Sequence, residues 1–469
     1  MLPTVRVHMV AERPTIAIYV PQRYAKGNYK RDSFHTRLHR GIHVVKDALE
    51  RAGREVGYCS MSTAHDYDVV LVSMTDALDW FPFIEERRQW AESSTIVIAG
   101  GAGFLNVRPF LQWFDIGVFG RAEGIIVPLV DAISKGEEFN HPSVCYSKTF
   151  DPFDDFQVSQ SSVPYPHPVQ PPPANHRDAG KDAWVEGPLG CKRKCWFCAY
   201  TWHRQPLAGV EDPSYEGEAT EATMLDLDPA TAASWPFIRH VGLDGLSQRL
   251  RFAMNKRITR EMFWAWFGGL AASGKKPHQV KLYNVVGIPS EETDEWFEHL
   301  DDLARIDSAL PDADPKWSIV LQSTPFMPMP ATPAAVWPMS KRNYRGLVSR
   351  TLQKPGMPGN TYFQGRALWA VESSGTESLA TAMVRALTLR GIEEDASLAE
   401  RIATTRRFWT ARMGARVANM EKYGDMDRLF KAYTWETVPT RYLHTYGKLE
   451  RMRVAVPARV AVEAEAVKV

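Results

Sequence analysis

The chain has 469 residues, of which 44% are hydrophobic and 24% are charged, and its formal net charge is +1. A chain of this length exceeds one ordinary hydrophobic core, so we expect two to four domains. No uninterrupted apolar stretch approaches the roughly 20 residues of a membrane span, and Arg6 interrupts any signal-peptide core, so we expect a cytoplasmic protein without a membrane partner.

Strand-like and helix-like segments alternate between residues 14 and 135, which is typical of a parallel doubly wound sheet with helices on both faces. This pattern predicts an α/β, Rossmann-like domain over residues 1–150. The predicted strands are 16–20, 55–60, 68–74, 95–99 and 115–119, and the predicted helices are 39–52 and a segment that ends near residue 132.

Glycine-rich or polar turns follow three of these strands, where open α/β sheets bind their ligands. The turns lack the G-x-G-x-x-G spacing of dinucleotide-binding proteins. We predict that they line a cofactor edge, and the alternative is that the glycines serve only tight strand-to-helix geometry. The candidate cofactor-binding residues are Ser73, Thr75, Gly100, Gly101, Gly103, Gly120 and Glu123.

A proline-rich segment follows the first domain. Residues 161–180 contain six prolines and show no periodicity, which predicts a stiff, extended linker over residues 151–182. Residues 183–186 can then form the first strand of a second α/β unit.

Three of the five cysteines lie in one short run, Cys191, Cys195 and Cys198, with the spacing C-x3-C-x2-C. Three thiolates on one loop suit a [4Fe-4S] cluster whose fourth iron keeps an open coordination position. A zinc site that also uses His203 is an alternative, although zinc ligands usually come as pairs spread over two segments.

The remaining two cysteines, Cys59 and Cys145, lie in apolar contexts that are typical of inert buried thiols. An odd and sparse cysteine count argues against a disulfide framework and favours a reducing compartment.

The cysteine run, with the aromatic Phe197 directly before its last cysteine, resembles that of radical S-adenosylmethionine (SAM) enzymes. In that family the open iron chelates the amine and carboxylate of SAM, and an electron from the cluster cleaves the sulfonium to a 5'-deoxyadenosyl radical. The resemblance implies that the three cysteines are both the metal ligands and the catalytic centre, and that Phe197 lies near the cofactor.

Three later segments, 241–259, 280–292 and 324–333, resemble strands and turns of the same family. The resemblance implies a partial (βα)6 TIM-like core over residues 183–345, with catalysis at the carboxyl ends of its strands. It also implies that Asp244 and Ser247, in the turn that faces SAM, and Asn284, on a later strand, bind the cofactor. Asp244 stands where many relatives carry glutamate, so its carboxylate reaches less far.

The glycine turns of the first domain are similar to those of the cobalamin-binding domain in one large class of radical SAM proteins. This resemblance implies cobalamin as a further cofactor. No Asp-x-His-x-x-Gly motif occurs in the chain, so the lower axial ligand of the cobalt would not be a motif histidine.

The C-terminal region, residues 346–469, is predicted to be mostly helical, with helices over 382–390 and 398–423, and to cover the mouth of the core and select the substrate. Residues 401–455 contain twelve Lys or Arg against five Asp or Glu. This surplus indicates either a solvated basic helix face or a site for phosphates or nucleic acid.

Together these resemblances imply a cobalamin-dependent radical SAM methyltransferase that acts on an unactivated carbon and needs an external one-electron donor. The substrate class stays open among small molecules, peptides and nucleic acids. The alternatives are a nucleic-acid-modifying or rearrangement enzyme of the same family, and a non-catalytic iron-sulfur or zinc module that binds nucleic acid. Methylthiotransferases are excluded because they need three more cysteines for a second cluster.

Overall fold

The structure is a computed structural model of the chain. It describes residues 13–21, 40–60, 62–90, 93–151, 159, 165–169, 183, 194–199, 240–272, 279–292, 294–295, 298–299, 301–302, 305, 318–330, 332–340, 361–363, 366–372, 379–403 and 429. Cys191, His203, residues 184–186 of the strand predicted over 183–186 and nearly all of the basic stretch 401–455 lie outside the described residues. Within them, no helix has the length and apolar character needed to cross a membrane.

The first sheet has six strands in the spatial order β2-β1-β3-β4-β5-β6. Neighbouring strands from β2 to β5 pair in parallel, and β6 pairs antiparallel with β5. The predicted α/β class with a mostly parallel sheet is therefore confirmed. The strands are β1 (Ile16–Tyr19), β2 (Val56–Tyr58), β3 (Val69–Ser73), β4 (Ile96–Gly100), β5 (Ile116–Val118) and β6 (Val144–Tyr146).

Helices cover both faces of this sheet. The first face packs against α1 (Arg40–Arg51) and α3 (Ile126–Lys135), and the second against α2 (Trp80–Arg87) and a short 3-10 helix, Arg108–Trp113. All five residues of β3 are buried, as expected for a continuous apolar strand covered on both sides. The strand order reverses between β1 and β3, and doubly wound sheets bind ligands at the carboxyl edge beside such a reversal.

Two elements of this domain were not predicted from the sequence. Strand β6 has only three residues, which is too short for an alternating pattern to stand out. Helix α2 buries most of its residues and contains Pro82. Its sequence therefore lacks the one-sided apolar period that reveals an amphipathic helix.

Part of the predicted linker packs on the first domain. Tyr165 and Val169 are buried against Val44 of α1, and the Tyr165 hydroxyl donates to Asp47 Oδ2 at 2.8 Å. At these positions the proline-rich segment is held by side-chain contacts with the helix.

The second sheet has five strands in the order β10-β11-β9-β8-β7, all parallel to their neighbours except β10, which is antiparallel to β11. The described strands do not close a ring, so the barrel stays a prediction. The strands are β7 (His240–Gly242), β8 (Gln279–Val286), β9 (Ser318–Pro325), β10 (Thr361–Phe363) and β11 (Arg366–Glu372).

This sheet continues beyond residue 345, because β10 and β11 come from the region that was predicted to be mostly helical. Two helices connect β7 to β8, and two more follow β11, near the positions predicted for the C-terminal region. These helices are α4 (Gln248–Ala253), α5 (Arg260–Ala272), α6 (Leu379–Leu389) and α7 (Glu393–Ala403).

The carboxyl-end loops of β3 and β4 face the segment that follows β9 and the helix α6. Ala77 and Leu105 form one buried cluster with Leu389, and Met327 and Met329 pack against it. A neighbouring cluster joins Leu78 and Phe81 to the apolar faces of α6 and α7. The carboxyl edge of the first sheet and the carboxyl exit of β9 therefore meet at one junction.

Candidate functional site

Two of the three clustered cysteines lie in the described loop 194–199. Cys195 is buried and Cys198 is half-buried, and neither forms a disulfide. The Cys198 amide donates to the Cys195 carbonyl at 3.2 Å, which keeps the two residues on one tight turn. Because Cys191 lies outside the described residues, those residues contain no group of three metal-ligating side chains.

The cysteine loop is anchored on two sides by backbone hydrogen bonds of Trp196. Its amide donates to Met254 O at 2.9 Å, and its carbonyl accepts from Ala334 N at 2.9 Å. A third bond runs from Asn255 Nδ2 to Lys194 O at 2.8 Å. The loop is thereby held between the turn after α4 and the segment that follows β9.

The side chain of Trp196 joins this loop to the aromatic core of the first sheet. Its ring lies edge-on to Trp337, with 6.3 Å between ring centroids, and it packs against the cluster that contains Trp80 and Phe104. Phe197, the next residue, is half-buried. Its predicted proximity to a cofactor stays a prediction.

Asp244 lies in the turn directly after β7. Its backbone has φ +49°, its amide donates to Tyr283 O at 3.0 Å, and its carboxylate forms an ion pair with Lys256. Its side chain is 21% exposed, whereas that of Lys256 is 2% exposed. This carboxylate is thus accessible at the carboxyl edge of the second sheet while its partner is enclosed.

Ser247 is fully buried, and its hydroxyl already has partners within the protein. It accepts from Leu250 N at 3.1 Å, which caps α4, and it donates to Glu295 Oε1. Glu295 also accepts two hydrogen bonds from Arg249, both at 2.9 Å. The structure therefore gives Ser247 a role in joining two elements, and its predicted contact with SAM stays a prediction.

Asn284 is buried with Leu282 and Val286, which share its face of β8. Its Nδ2 lies 3.4 Å from Nε2 of His299. Burial and the nearby Arg251 cation lower the pKa of His299 to about 3, so the imidazole is neutral and accepts from the amide. Asn284 thus contacts a buried histidine, and its predicted contact with SAM stays a prediction.

Arg251 packs against the turn at residues 244–247, here called the Asp244 turn, and bonds to its backbone. It is fully buried, donates from Nε to Ile258 O at 2.9 Å and from Nη1 to Gly245 O at 3.2 Å, and burial lowers its pKa to about 10. Gly245 has φ +139°, and a Cβ at that position would lie 3.0 Å from Arg251 Cγ. This turn therefore requires glycine beside the arginine.

The predicted cofactor edge of the first sheet is tightly packed. A Cβ on Gly101 would lie 2.4 Å from Met74 O, and one on Gly103 would lie 2.3 Å from the carbonyl carbon of Asp76. A Cβ on Gly100 would lie 3.0 Å from the backbone oxygen of Val118. The loops after β3 and β4 touch at Gly101 and Gly103, and Gly100 lies against β5, so packing accounts for these glycines without any ligand.

Ser73 and Thr75 belong to the same edge. Ser73 is buried at the end of β3, and Thr75 donates to Asp79 Oδ2 from both its amide, at 2.8 Å, and its hydroxyl, at 3.0 Å. Gly120 has φ +87°, and Glu123 forms an ion pair with Arg121. Contact of these residues with a cofactor stays a prediction.

The two cysteines outside the run are buried, as predicted. Burial raises the pKa of the Cys59 thiol to about 12 and that of Cys145 still further, so both are poor nucleophiles and poor metal ligands.

Neither Lys256 nor Trp196 was predicted from the sequence to be a functional residue. Lys256 lies within segment 241–259, which resembles radical SAM enzymes, and this resemblance is the sequence signal that could have indicated it. Trp196 stands between two predicted ligands. The contacts of both residues depend on segments remote in sequence, which a local motif does not reveal.

Comparisons with known proteins found no matching family model and no matching curated protein. Among solved structures, the chain is similar to the cobalamin-dependent S-adenosylmethionine radical enzyme OxsB with aqua-cobalamin bound, at 12% identity and a TM-score of 0.41, over 95% of this chain and 80% of that one. OxsB with aqua-cobalamin and S-adenosylmethionine bound matches at 12% identity and a TM-score of 0.25, over 67% of this chain and 44% of that one. Likeness at this level does not define a family for the chain.

Proposed function

We propose that the chain is a radical SAM enzyme in which Cys191, Cys195 and Cys198 hold a [4Fe-4S] cluster with one open iron position. The observation that carries the proposal is the anchoring of the cysteine loop, through Trp196, between Met254 and Ala334. These anchors keep the loop near the Asp244 turn and the exit of β9, at the carboxyl edge of a parallel sheet. Enzymes built on such sheets act at that edge.

The donor set fits an iron-sulfur cluster. Soft thiolate ligands on a short loop are the usual ligands of such clusters, and burial of Cys195 limits access of water to its thiol. The chemistry that a bound cluster supplies is the one-electron reductive cleavage of the SAM sulfonium. The residues of the chain hold the loop, exclude water and orient the ligand.

Asp244 is the residue that we assign to SAM. Its carboxylate is partly exposed beside the anchored loop, and a carboxylate readily accepts a hydrogen bond from the N–H groups of a methionyl α-amino group. We assign structural roles to Ser247, in the Asp244 turn, and to Asn284, in β8, because both side chains are buried and contact other side chains.

We extend the proposal to cobalamin and to methyl transfer on the strength of the resemblance in the sequence. The reversal of strand order beside β3 and the meeting of the two sheets' carboxyl edges favour a ligand at the junction. Gly101 and Gly103 do not fit as a cradle for cobalamin, because the neighbouring loop already fills the space beside them. We therefore derive no step through cobalamin.

The test is anaerobic reconstitution of the full chain with iron and sulfide, followed by reduction and measurement of 5'-deoxyadenosine. We expect cluster absorbance and SAM cleavage in the wild type and neither in Cys195→Ala, with Cys59→Ala as the matched control that retains both. A cluster without SAM cleavage would favour the non-catalytic iron-sulfur module. Absence of both cluster absorbance and cleavage in the wild type would contradict the proposal.

Cobalamin is tested separately by the absorbance spectrum of protein produced with cobalamin supplied. We expect Cys195→Ala to retain cobalamin, because none of the residues of the proposed cobalamin edge belongs to the cysteine loop. A wild type that never carries cobalamin would restrict the proposal to a radical SAM enzyme with one cofactor beyond the cluster.

A further inference from the structure

Three consecutive residues between α4 and α5 contact both the cysteine loop and the Asp244 turn. Met254 and Asn255 hold the cysteine loop through the hydrogen bonds to Trp196 N and Lys194 O, at 2.9 and 2.8 Å. The next residue, Lys256, pairs with the Asp244 carboxylate. One short turn therefore fixes the spacing between the cysteine loop and this carboxylate.

Lys256 is an enclosed cation. Its side chain is 2% exposed, and its amide donates to Arg251 O at 2.8 Å, which ties it to the buried arginine below the turn. An ammonium group in such a place is stable only with an opposite charge beside it. Lys256 is too enclosed to meet a ligand directly, so its influence on a ligand passes through Asp244.

Asp244 is held by its backbone as well as by this ion pair. Asp244 and Asn255 have φ angles of +49° and +58°, in the left-handed region that residues with side chains rarely adopt. Such conformations persist where surrounding contacts impose them. Lys256 binds Oδ2 of Asp244, and among the described residues Oδ1 has no hydrogen-bond partner.

We propose that Lys256 is a positioning residue, which holds Oδ2 of Asp244 so that Oδ1 accepts from an N–H of the α-amino group of an aminocarboxylate ligand such as SAM. The inference rests on the proposed function. It extends that function by assigning the orientation of the ligand-binding carboxylate to Lys256, a residue that does not touch the ligand.

The experiment uses the full chain with its cluster reconstituted anaerobically. Equilibrium dialysis measures the Kd for SAM, and the electron paramagnetic resonance signal of the reduced cluster is recorded with and without SAM. The variants are Lys256→Met, Lys256→Arg, Asp244→Asn and the double variant D244N/K256M. Arg257→Met is the matched control, because Arg257 is exposed and its guanidinium lies over the Phe252 ring, 5.1 Å from its centroid.

We expect Lys256→Met to keep its iron content and its cluster signal without SAM, while its Kd for SAM rises about 10- to 100-fold, by analogy with the loss of groups that orient metal-binding residues. Lys256→Arg restores part of the affinity, and Arg257→Met leaves it unchanged. The double variant binds SAM no more weakly than Asp244→Asn alone, since Lys256 acts only through Asp244.

A Kd for Lys256→Met within twofold of the wild type, or additive losses in the double variant, would overturn the role of Lys256. If Lys256→Met fails to fold, the double variant, which leaves no unpaired buried charge, decides by its comparison with Asp244→Asn. If the wild type itself does not bind iron or SAM, the proposed function is overturned together with the role of Lys256. If the wild type binds both and only the Lys256 variants depart from expectation, the role of Lys256 alone is overturned.

Discussion

Arg385 of α6 and Asp76 of the loop after β3 form a two-point ion pair across 309 residues of sequence. Arg385 Nη2 lies 2.7 Å from Asp76 Oδ2, and Arg385 Nε donates to Oδ1 at 2.9 Å. The two side chains are 7% and 14% exposed. Beside them, Asn106 Nδ2 donates to Leu389 O. These contacts tie the carboxyl edge of the first sheet to the C-terminal helices.

Removing one partner of this pair should destabilise the protein strongly. Arg385→Met leaves the Asp76 carboxylate without its cation in a poorly solvated place, so we expect the free energy of unfolding to fall by about 3 kcal/mol. Urea unfolding followed by tryptophan fluorescence measures it. Arg88→Met, which breaks the more exposed pair with Glu400, is the control and should cost less than about 1 kcal/mol. Equal losses would contradict the prediction.

Gly101→Ala should destabilise the first domain even when no cobalamin is present. The glycine has φ +118°, and a Cβ there would overlap Met74 O, so overpacking and backbone strain together should cost at least about 2 kcal/mol. Gly124→Ala is the control, because a Cβ at Gly124 meets nothing within 4 Å. Thermal unfolding of cobalamin-free protein distinguishes this packing role from a role in ligand contact alone, which predicts no loss of stability.

His299 should make stability depend on pH below neutrality. Its folded pKa of about 3 lies below the ordinary value of 6.5, so the unfolded chain binds more protons between these values, and stability falls as pH decreases through that window. Between pH 7 and pH 5 its contribution should fall by about 2 kcal/mol. Urea unfolding at both pH values measures the loss.

The variant His299→Gln should lose less stability than the wild type over the same pH interval, because it carries no group that must stay neutral. His65→Gln, which replaces an exposed histidine, is the control and should retain the wild-type dependence. A parallel pH dependence in wild type and His299→Gln would show that the ring is not held neutral by burial.

The five thiols should divide by their reactivity. In protein without a cluster at pH 8, iodoacetamide should modify the half-buried Cys198 far faster than Cys59. Burial raises the pKa of Cys59 from the ordinary 9.0 to about 12, which reduces its thiolate fraction about 1,000-fold relative to an ordinary thiol. Reconstitution with iron and sulfide should then protect Cys198. Peptide mass spectrometry reports both steps, and unprotected Cys198 in iron-loaded protein would argue against its role as a ligand.

Ser247→Ala should affect folding more than SAM affinity. The hydroxyl caps α4 and donates to Glu295, so its loss should cost about 1 to 2 kcal/mol of stability. Ser247→Thr retains the hydroxyl and should recover part of the loss. A Kd for SAM that rises tenfold in Ser247→Ala with unchanged stability would instead support the contact that the sequence resemblance implies.

The first five strands of the first sheet could be predicted from the sequence because their pattern is local. Buried strands such as β3 and β4 are continuous apolar runs, and turn residues follow them. Strand order is not local. It depends on pairing between segments remote in sequence, which no short sequence pattern indicates. Examples are the reversal of strand order between β1 and β3 and the addition of β10 and β11 to the second sheet.

For the candidate site, the sequence by itself determined which side chains are the candidate ligands, because three thiols spaced C-x3-C-x2-C form a local pattern that predicts an iron-sulfur cluster without reference to anything else in the chain. Tertiary structure alone decided the partners of each residue. It showed that Gly101 serves the packing of two loops, that Ser247 bonds to Glu295, and that Lys256 holds Asp244. These roles arise from distances across the fold, since burial forces each polar group to find a partner wherever packing places one.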